Sequence, residues 1–494
     1  MKRHALLLVA SVSVLSPRGA AADPLTWETS IEQGAILRVM QAAADWQLAH
    51  PASHPSWDWT QAAYYTGVMA LGGVTDDPKY VGAMRAIAEG NAWRPGLRPG
   101  HADDYAVIAV YAKLYEADRD RRLLAPALAL FDFLLSRRYD EPLTWGGRIE
   151  TRELAWCDAL FMGPPSLAAV ATATGDRRYL DLANRLWWKT TDYLYDRDER
   201  LYYRDSRFFD QREPNGRKVF WSRGNGWVIA GLARLLQELP EDDKDRDRYQ
   251  ALFREMAGKA AALQGDDGYW RASLLDPASL PSPETSGTGF FTHALAWGIN
   301  QGLLERSVYE PNVRRGWAAL VKAVHEDGML GFVQRIGYAP GSTTADTTEV
   351  YGVGALLLAG SEVFRMALFH GARDLALSGR NTLDTPRFDE VVAVPWAEVA
   401  RRLDARQGDA LLAVEGRSGA FLATQIVDER DDGSPERLQF QASFLGGEKK
   451  SFLLKKLARP WHPPAAWREG AGQVERKNGR DAAPAPIVVE ITPR

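Results

Sequence analysis

Thr174-Gly-Asp-Arg-Arg-Tyr179 joins two stretches, 155–174 and 177–195, in which apolar residues recur every three or four positions. That period is one face of an α-helix, so the six residues read as a tight helix–helix turn. Asp176 is placed to cap the second helix, and Tyr179 falls on its first turn, where it can pack back on its partner. Thr75-Asp-Asp-Pro-Lys-Tyr80 repeats the pattern, and Asp243-Lys-Asp-Arg-Asp-Arg-Tyr249 marks a third junction. Outward from these turns, helical periodicity covers 31–49, 59–73, 76–91, 103–116, 120–138, 155–174, 177–195, 224–238, 246–264, 288–304, 309–325 and 348–368. Recurring helix pairs bury their apolar faces only by stacking on neighbours. Six pairs predict an all-α closed toroid with one ring of helices inside another; an open solenoid is the alternative.

Residues 196–222 interrupt this rhythm with Asp, Arg, Tyr and Phe, and a long insertion between regular helices is often functional. Beyond about 375 the texture changes to short alternating runs, Glu390–Val394, Ala410–Val414, Arg437–Gln441 and Ser451–Lys455, which read as β-structure. A small β-rich module at 380–458 therefore follows a helical domain at 30–370. The tail, 459–494, is rich in Pro and Ala and reads as poorly ordered except for a last strand at 487–491. At the other end, Met1-Lys-Arg-His4 precedes an apolar run from Ala5 to Leu15 and an Ala-rich site at Ala20–Ala22. Residues 1–22 thus read as a secretory signal peptide, and the expected address is periplasmic or secreted. No later stretch offers eighteen uninterrupted apolar residues, so no membrane span is expected.

The 494 residues carry 60 Lys and Arg against 64 Asp and Glu, which leaves no basic footprint for nucleic acid. The one cysteine, Cys157, cannot form an intrachain disulfide. Seventeen tryptophans beside 17 tyrosines are enough to furnish both a core and a sugar-binding cleft. GxSxG, P-loop, HExxH and paired CxxC motifs are all missing. Asp428-Glu-Arg-Asp-Asp-Gly433 has some character of a calcium loop, but Arg430 stands where a ligand is wanted.

A helical toroid gathers helix N-termini into a cup at one end, and several motifs suit such a cup. Asp158, in Trp156-Cys-Asp-Ala-Leu-Phe-Met-Gly-Pro-Pro165, has apolar neighbours that raise a carboxylic acid's pKa, as a general acid requires. The competing reading makes it a helix cap. Asp103 and Asp104 open another helix and are either dipole partners or the source of a second carboxylate. In Phe220-Trp-Ser-Arg-Gly-Asn-Gly-Trp227, Arg223 between Trp221 and Trp227 can grip a sugar carboxylate while the rings stack. Glu284-Thr-Ser-Gly-Thr288 lies in a further polar loop, and the small residues of Thr347–Gly354 suit close helix packing.

Together, the motifs at 156–165, 220–227, 284–288 and Val350–Glu362 resemble glycoside hydrolase family 105, the unsaturated rhamnogalacturonyl hydrolases and their unsaturated glucuronyl hydrolase relatives, over about residues 30–370. The resemblance implies an (α/α)6 barrel that hydrates the double bond of a terminal 4,5-unsaturated uronic acid on oligosaccharides left by polysaccharide lyases. It implies Asp158 as acid/base, with Asp103 favoured over Asp104 as the second carboxylate. Trp156, Trp221, Arg223, Trp227 and Asp104 are implied to bind substrate, with Arg223 on the uronate carboxylate. No metal or cofactor is implied. One departure is that family members commonly carry a His in the loop before the acid, where this chain has Arg148, Glu150 and Arg152. Residues 381–444 resemble a domain of unknown function from polysaccharide-degrading bacteria. The competing functions are a lyase or epimerase on the same barrel, which usually rely on Tyr or His bases, and a non-catalytic sugar-binding protein. The sequence leaves the oligomeric state and the supplying polysaccharide open.

Overall fold

The computed structural model describes residues 27–461 and 487–491; the expected signal peptide and most of the tail lie outside them. In chain order the helices are α1 (Gln33–Ala49), α2 (Trp59–Gly72), α3 (Lys79–Gly90), α4 (Ala102–Tyr105), α5 (Ile108–Asp118), α6 (Arg121–Leu135), α7 (Ala159–Thr174), α8 (Arg177–Leu194), α9 (Ser222–Glu238), α10 (Arg246–Ala262), α11 (Thr285–Asn300), α12 (Arg306–Lys322) and α13 (Val350–Leu368). Between α8 and α9 a hairpin of β1 (Tyr195–Asp196) and β2 (Leu201–Tyr202) lies in the irregular insertion. The helix expected at 103–116 is broken at Ala106–Val107, so the Asp103–Asp104 pair has a turn of its own, α4.

Six helices, α2, α5, α7, α9, α11 and α13, each touch the next, and α13 returns to α2, closing the ring. The solenoid alternative is thereby excluded. These inner helices are apolar nearly all round, as a doubly covered element must be. One of them, α13, is apolar and long enough to cross a membrane but is buried within the barrel. The outer helices α1, α3, α6, α8, α10 and α12 lie against them. The junction tyrosines join the outer ring rather than each packing back on its own pair. Tyr80 in α3 donates to Asp45 in α1, Tyr179 in α8 to Asp132 in α6, and Tyr249 in α10 to Asn184 in α8, at 2.9–3.0 Å. Asp176 caps α8 through the Arg178 N–H, as its position in the turn predicts.

Behind the barrel come β3 (Arg373–Asn381), β4 (Arg387–Pro395), α14 (Trp396–Leu403), β5 (Leu411–Glu415), β6 (Phe421–Val427), β7 (Arg437–Phe444), β8 (Lys449–Lys456) and β9 (Ile487–Ile491). They form one antiparallel sheet in the order β4-β7-β6-β5-β8-β3-β9, whose edge strands β4 and β9 approach each other, so the sheet curls. Strands β3 and β6 are additions to the expected set, and β3 starts ahead of residue 380. Its run Arg373-Asp-Leu-Ala-Leu-Ser-Gly-Arg-Asn381 is half polar, which hides it from a hydrophobicity reading. In the loop before β7, Asp428 accepts the N–H groups of Asp432 and Gly433, and Arg430 pairs with Glu436, so the loop's own groups satisfy one another. Leu412, Val414, Phe421 and Leu457 of the module belong to the barrel's hydrophobic core, which fixes the module to the barrel.

Ring closure depends on glycine. A Cβ on Gly354 of α13 would collide with the Ala63 carbonyl of α2, and one on Gly67 would lie 2.5 Å from the Gly354 carbonyl. Overpacking at a backbone–backbone contact allows little relaxation. Gly354→Ala is therefore expected to destabilise the barrel by about 3 kcal/mol or more, read as a large fall in Tm or loss of soluble protein. A variant melting like wild type would refute this closure.

Candidate active site

The N-termini of the inner helices converge at one end of the ring and bring acidic residues with them. Asp58 at the start of α2 accepts the Thr60 N–H at 2.9 Å, and Glu284 at the start of α11 accepts those of Ser286 and Gly287 at 3.0 and 2.7 Å. Both are caps. Asp158 also stands at an N-cap, that of α7, yet its side chain accepts no N–H from the helix. The cap reading therefore fails for Asp158, whose carboxylate is free for other work. Its Oδ2 lies 3.6 Å from Arg204 Nε and 3.4 Å from Cys157 Sγ. Burial, the largest influence, pushes its pKa up, while Arg204 and Arg223 oppose the rise. The Cys157 thiol is buried and its pKa is also raised by burial, which makes it a wall and not a nucleophile.

The two residues of the Asp103–Asp104 pair diverge. Asp104 is buried, and its carboxylate takes the Arg98 backbone N–H at 2.7 Å and the Arg98 Nε at 2.9 Å, which anchors the loop before α4. These hydrogen bonds commit the Asp104 carboxylate, expected to bind substrate, to Arg98. Asp103 has no such partner; its Oδ2 lies 3.6 Å from His101 Nδ1. Its pKa is pushed up to about 8, first by burial and then by the charge of Asp158. His101, held near 4 mainly by burial, is neutral. Asp103 and Asp158 thus form a coupled pair that retains a proton at neutral pH.

The residues expected to stack on sugar are enclosed. Trp156, Trp221 and Trp227 are 3%, 2% and 1% exposed, and Arg223 is 1% exposed. Trp227 is packed among Phe161, Phe290, Trp59 and Tyr351, so it belongs to the aromatic floor of the cup. Trp156 lies against His101 and Trp145. The terminal nitrogens of Arg223 donate to the carbonyls of Gln334 and Arg335 at 2.6 and 3.0 Å, and Trp221 Nε1 donates to the Gln334 side chain at 2.9 Å. Arg223 and Trp221 therefore clamp the 334–335 loop. This occupies the geometry that a bidentate grip on a substrate carboxylate would need, and Arg223 instead presents the exposed Arg335.

The open surface of the cup comes from residues that were not among the expected site. Arg204 and Arg207, both in the irregular insertion, place their guanidinium groups 4.6 Å from the Trp145 ring. Arg207 also lies 5.0 Å from Tyr338, which is exposed. Gly146, Gly147 and Arg148 follow Trp145 with φ of 152°, 53° and 57°, a turn that two glycines make accessible and that leaves Arg148 exposed. Opposite, Glu349 at the start of α13 makes no cap, lies 3.9 Å from His54, and has its pKa raised by burial. The composition of 196–222 carried a signal for Arg204; nothing local marked Glu349.

Residues 34–367 match the family model of Glycosyl Hydrolase Family 88, and residues 380–484 match a domain of unknown function, DUF4861. An unsaturated 3S-rhamnoglycuronyl hydrolase of Formosa agariphila is 42% identical over 341 residues, spanning 66% of this chain and 90% of the relative. A protein of the same name from an Alteromonas species is 38% identical over 350 residues, spanning 66% and 85%. Among solved structures, a family 88 glycosyl hydrolase from Bacteroides vulgatus is 30% identical, with a TM-score of 0.62 over 67% of this chain and 99% of its own.

The raised pKa of Asp103 has a consequence for stability. Its folded value, about 8, lies above the ordinary 3.8, so its contribution is present at low pH and is lost as pH rises towards 8. Asn does not titrate. Asp103→Asn is therefore expected to melt above wild type at pH 8, with the gain closing as pH falls to about 4. Equal melting at both pH values would contradict the burial of this acid.

Proposed function

The chain belongs to Glycosyl Hydrolase Family 88, and we propose that it removes a terminal 4,5-unsaturated uronate from lyase-generated oligosaccharides by hydrating the double bond. The observation that carries the reading is Asp158: an acid at a helix N-terminus, left uncapped, with its pKa raised by burial and its charge felt by Asp103. The names of the two relatives, unsaturated 3S-rhamnoglycuronyl hydrolases, support a uronate linked to rhamnose. Arg148, Arg207 and Arg335 at the open rim suit an anionic sugar. The start of the chain, Met1-Lys-Arg-His4 with its apolar run, supports export to the periplasm or beyond.

In this reading Asp158 gives its proton to carbon 4, and the positive charge at carbon 5 is shared with the ring oxygen. The Asp158 carboxylate, with Arg204 Nε 3.6 Å away, then takes a proton from the water that adds to carbon 5. The hemiketal opens to a ketone at carbon 5, and the hemiacetal left at carbon 1 releases the next sugar. One water is consumed, and Asp158 ends as it began. Asp103, whose own pKa is raised by burial and by the charge of Asp158, is the second acid of the pair. Arg223 acts through the 334–335 loop, setting Arg335 towards the uronate carboxylate.

Incubation with lyase-generated oligosaccharides is expected to remove the ultraviolet absorbance of the conjugated double bond. Asp158→Asn should lower kcat by about 10²–10⁴-fold while the protein still folds. For wild type, kcat/KM should fall as pH rises through about 8, where the pair loses its last proton. A rise in absorbance would show a lyase instead, and undiminished turnover in Asp158→Asn would remove that residue from the role.

A further inference from the structure

At the opposite end of the barrel from the cup, the inner helices and the β-module enclose a space. A cavity of about 810 Å³ lies between the C-terminal halves of the inner helices and the sheet, with Arg234 and His293 on the barrel side and Gln425, Gln439 and Phe440 on the module side. It is separate from the cup: Phe161 lies between, packed against Trp227 on one side and under the Arg234 guanidinium on the other.

The charges around this cavity are almost all used within the protein. Lys113 pairs with Glu116 and Glu238 at 3.0 and 2.9 Å, Arg365 with Glu362 at 3.5 Å, and Lys450 with Glu415 at 3.1 Å. Arg417 joins Glu415 and Glu448 at 3.8 and 3.6 Å. Arg234 is the exception. Among the described residues no carboxylate lies within ion-pair distance of it, and burial lowers its pKa to about 10. Its one hydrogen bond has a local cause. Pro165 has no N–H to give the Phe161 carbonyl one turn earlier in α7, and Arg234 Nη1 supplies that bond at 2.8 Å. Among the described residues no protein acceptor meets the other guanidinium N–H groups, and Arg234 lines the cavity.

His293 provides the complement. Its Nδ1 lies 3.2 Å from the Leu358 carbonyl, which makes Nδ1 the protonated nitrogen, and burial holds its pKa near 4. Its Nε2 is then a bare acceptor, and it is buried without a hydrogen-bond partner. Free donors beside a free acceptor, in a cavity whose charges are otherwise paired, match a neutral ligand whose neighbouring groups both give and take hydrogen bonds. Vicinal sugar hydroxyls do this, side-chain amides such as Gln425 and Gln439 bond them readily, and Phe440 offers an apolar wall to the CH face of a sugar ring. The volume lies in the range of ligand pockets. A mouth is marked by Phe388 and Val391, which also line the cavity and are exposed, with Arg119 stacked 3.9 Å from the Phe388 ring.

We propose that the barrel base and the β-module together form a second carbohydrate site, for a neutral mono- or disaccharide, with Arg234 and His293 as its polar floor. It gives the module a role, that of supplying the site's second wall. The inference does not depend on the reaction in the cup, because its readout is binding.

The test uses the full chain, with L-rhamnose, D-glucose and D-glucuronate as probes in saturation-transfer NMR and titration. A neutral sugar is expected to bind, and to bind unchanged when Asp158→Asn and Arg204→Ala are introduced together in the cup. Arg234→Met and, on the module wall, Gln439→Leu should each weaken binding about tenfold or more. Arg234→Lys, which restores a donor, should recover part of the loss. If Arg234→Met does not fold, Gln439→Leu decides the matter. Binding lost in the cup variant but untouched by the Arg234 and Gln439 variants would overturn the proposal. So would binding of glucuronate alone, which would mark an anion site, or binding of none of the three.

Discussion

The constraint on which the rest of this molecule depends is the contact between α2 and α13, the first and last inner helices. Gly67 and Gly354 let their backbones meet, and a methyl group at either would hold the ring open. Once the ring closes, six parallel helices have no choice but to bring their N-termini to one end. Helix N-termini attract carboxylates, and the sequence supplies Asp58, Asp158, Glu284 and Glu349 there. What distinguishes these acids is their hydrogen bonding. Asp58 and Glu284 spend their oxygens on backbone N–H groups. Asp158 and Glu349 do not, and burial raises both of them. The same architectural position thus yields caps and poised acids.

A second consequence lies at the other end of the ring. The double proline that shapes α7 behind Asp158 leaves a carbonyl without its helical partner, and Arg234 is drawn to it. A feature of α7 thereby places a guanidinium at the barrel base, where the module covers it. Cup and base are opposite faces of the same aromatic layer.

Much of this was legible in the sequence because the signals are local. The helix periods, the Asp176 cap and the Asp158 motif each lie within one or two turns, and the structure has them where the spacing puts them. The tryptophans were the less reliable guide. Trp156, Trp221 and Trp227 lie beside the cup, but a one-dimensional pattern cannot say which side of a ring faces solvent, and all three face protein. Arg223 misled for the same reason: its partners, the carbonyls of Gln334 and Arg335, are more than a hundred residues away. Glu349 and His54 meet only because α13 returns to α2. The residues that line the open cup instead, Trp145, Arg204 and Arg207, lie in loops, where periodicity has nothing to say.

The central claim is that the bond to the next sugar breaks because the double bond is hydrated, not because the anomeric carbon is attacked. NMR of the reaction run in D2O tests this at early times. Hydration through Asp158 predicts that deuterium enters carbon 4 in step with loss of the vinyl proton, and that no free unsaturated uronate accumulates. Release of a monosaccharide with its double bond intact and carbon 4 unlabelled would contradict the account.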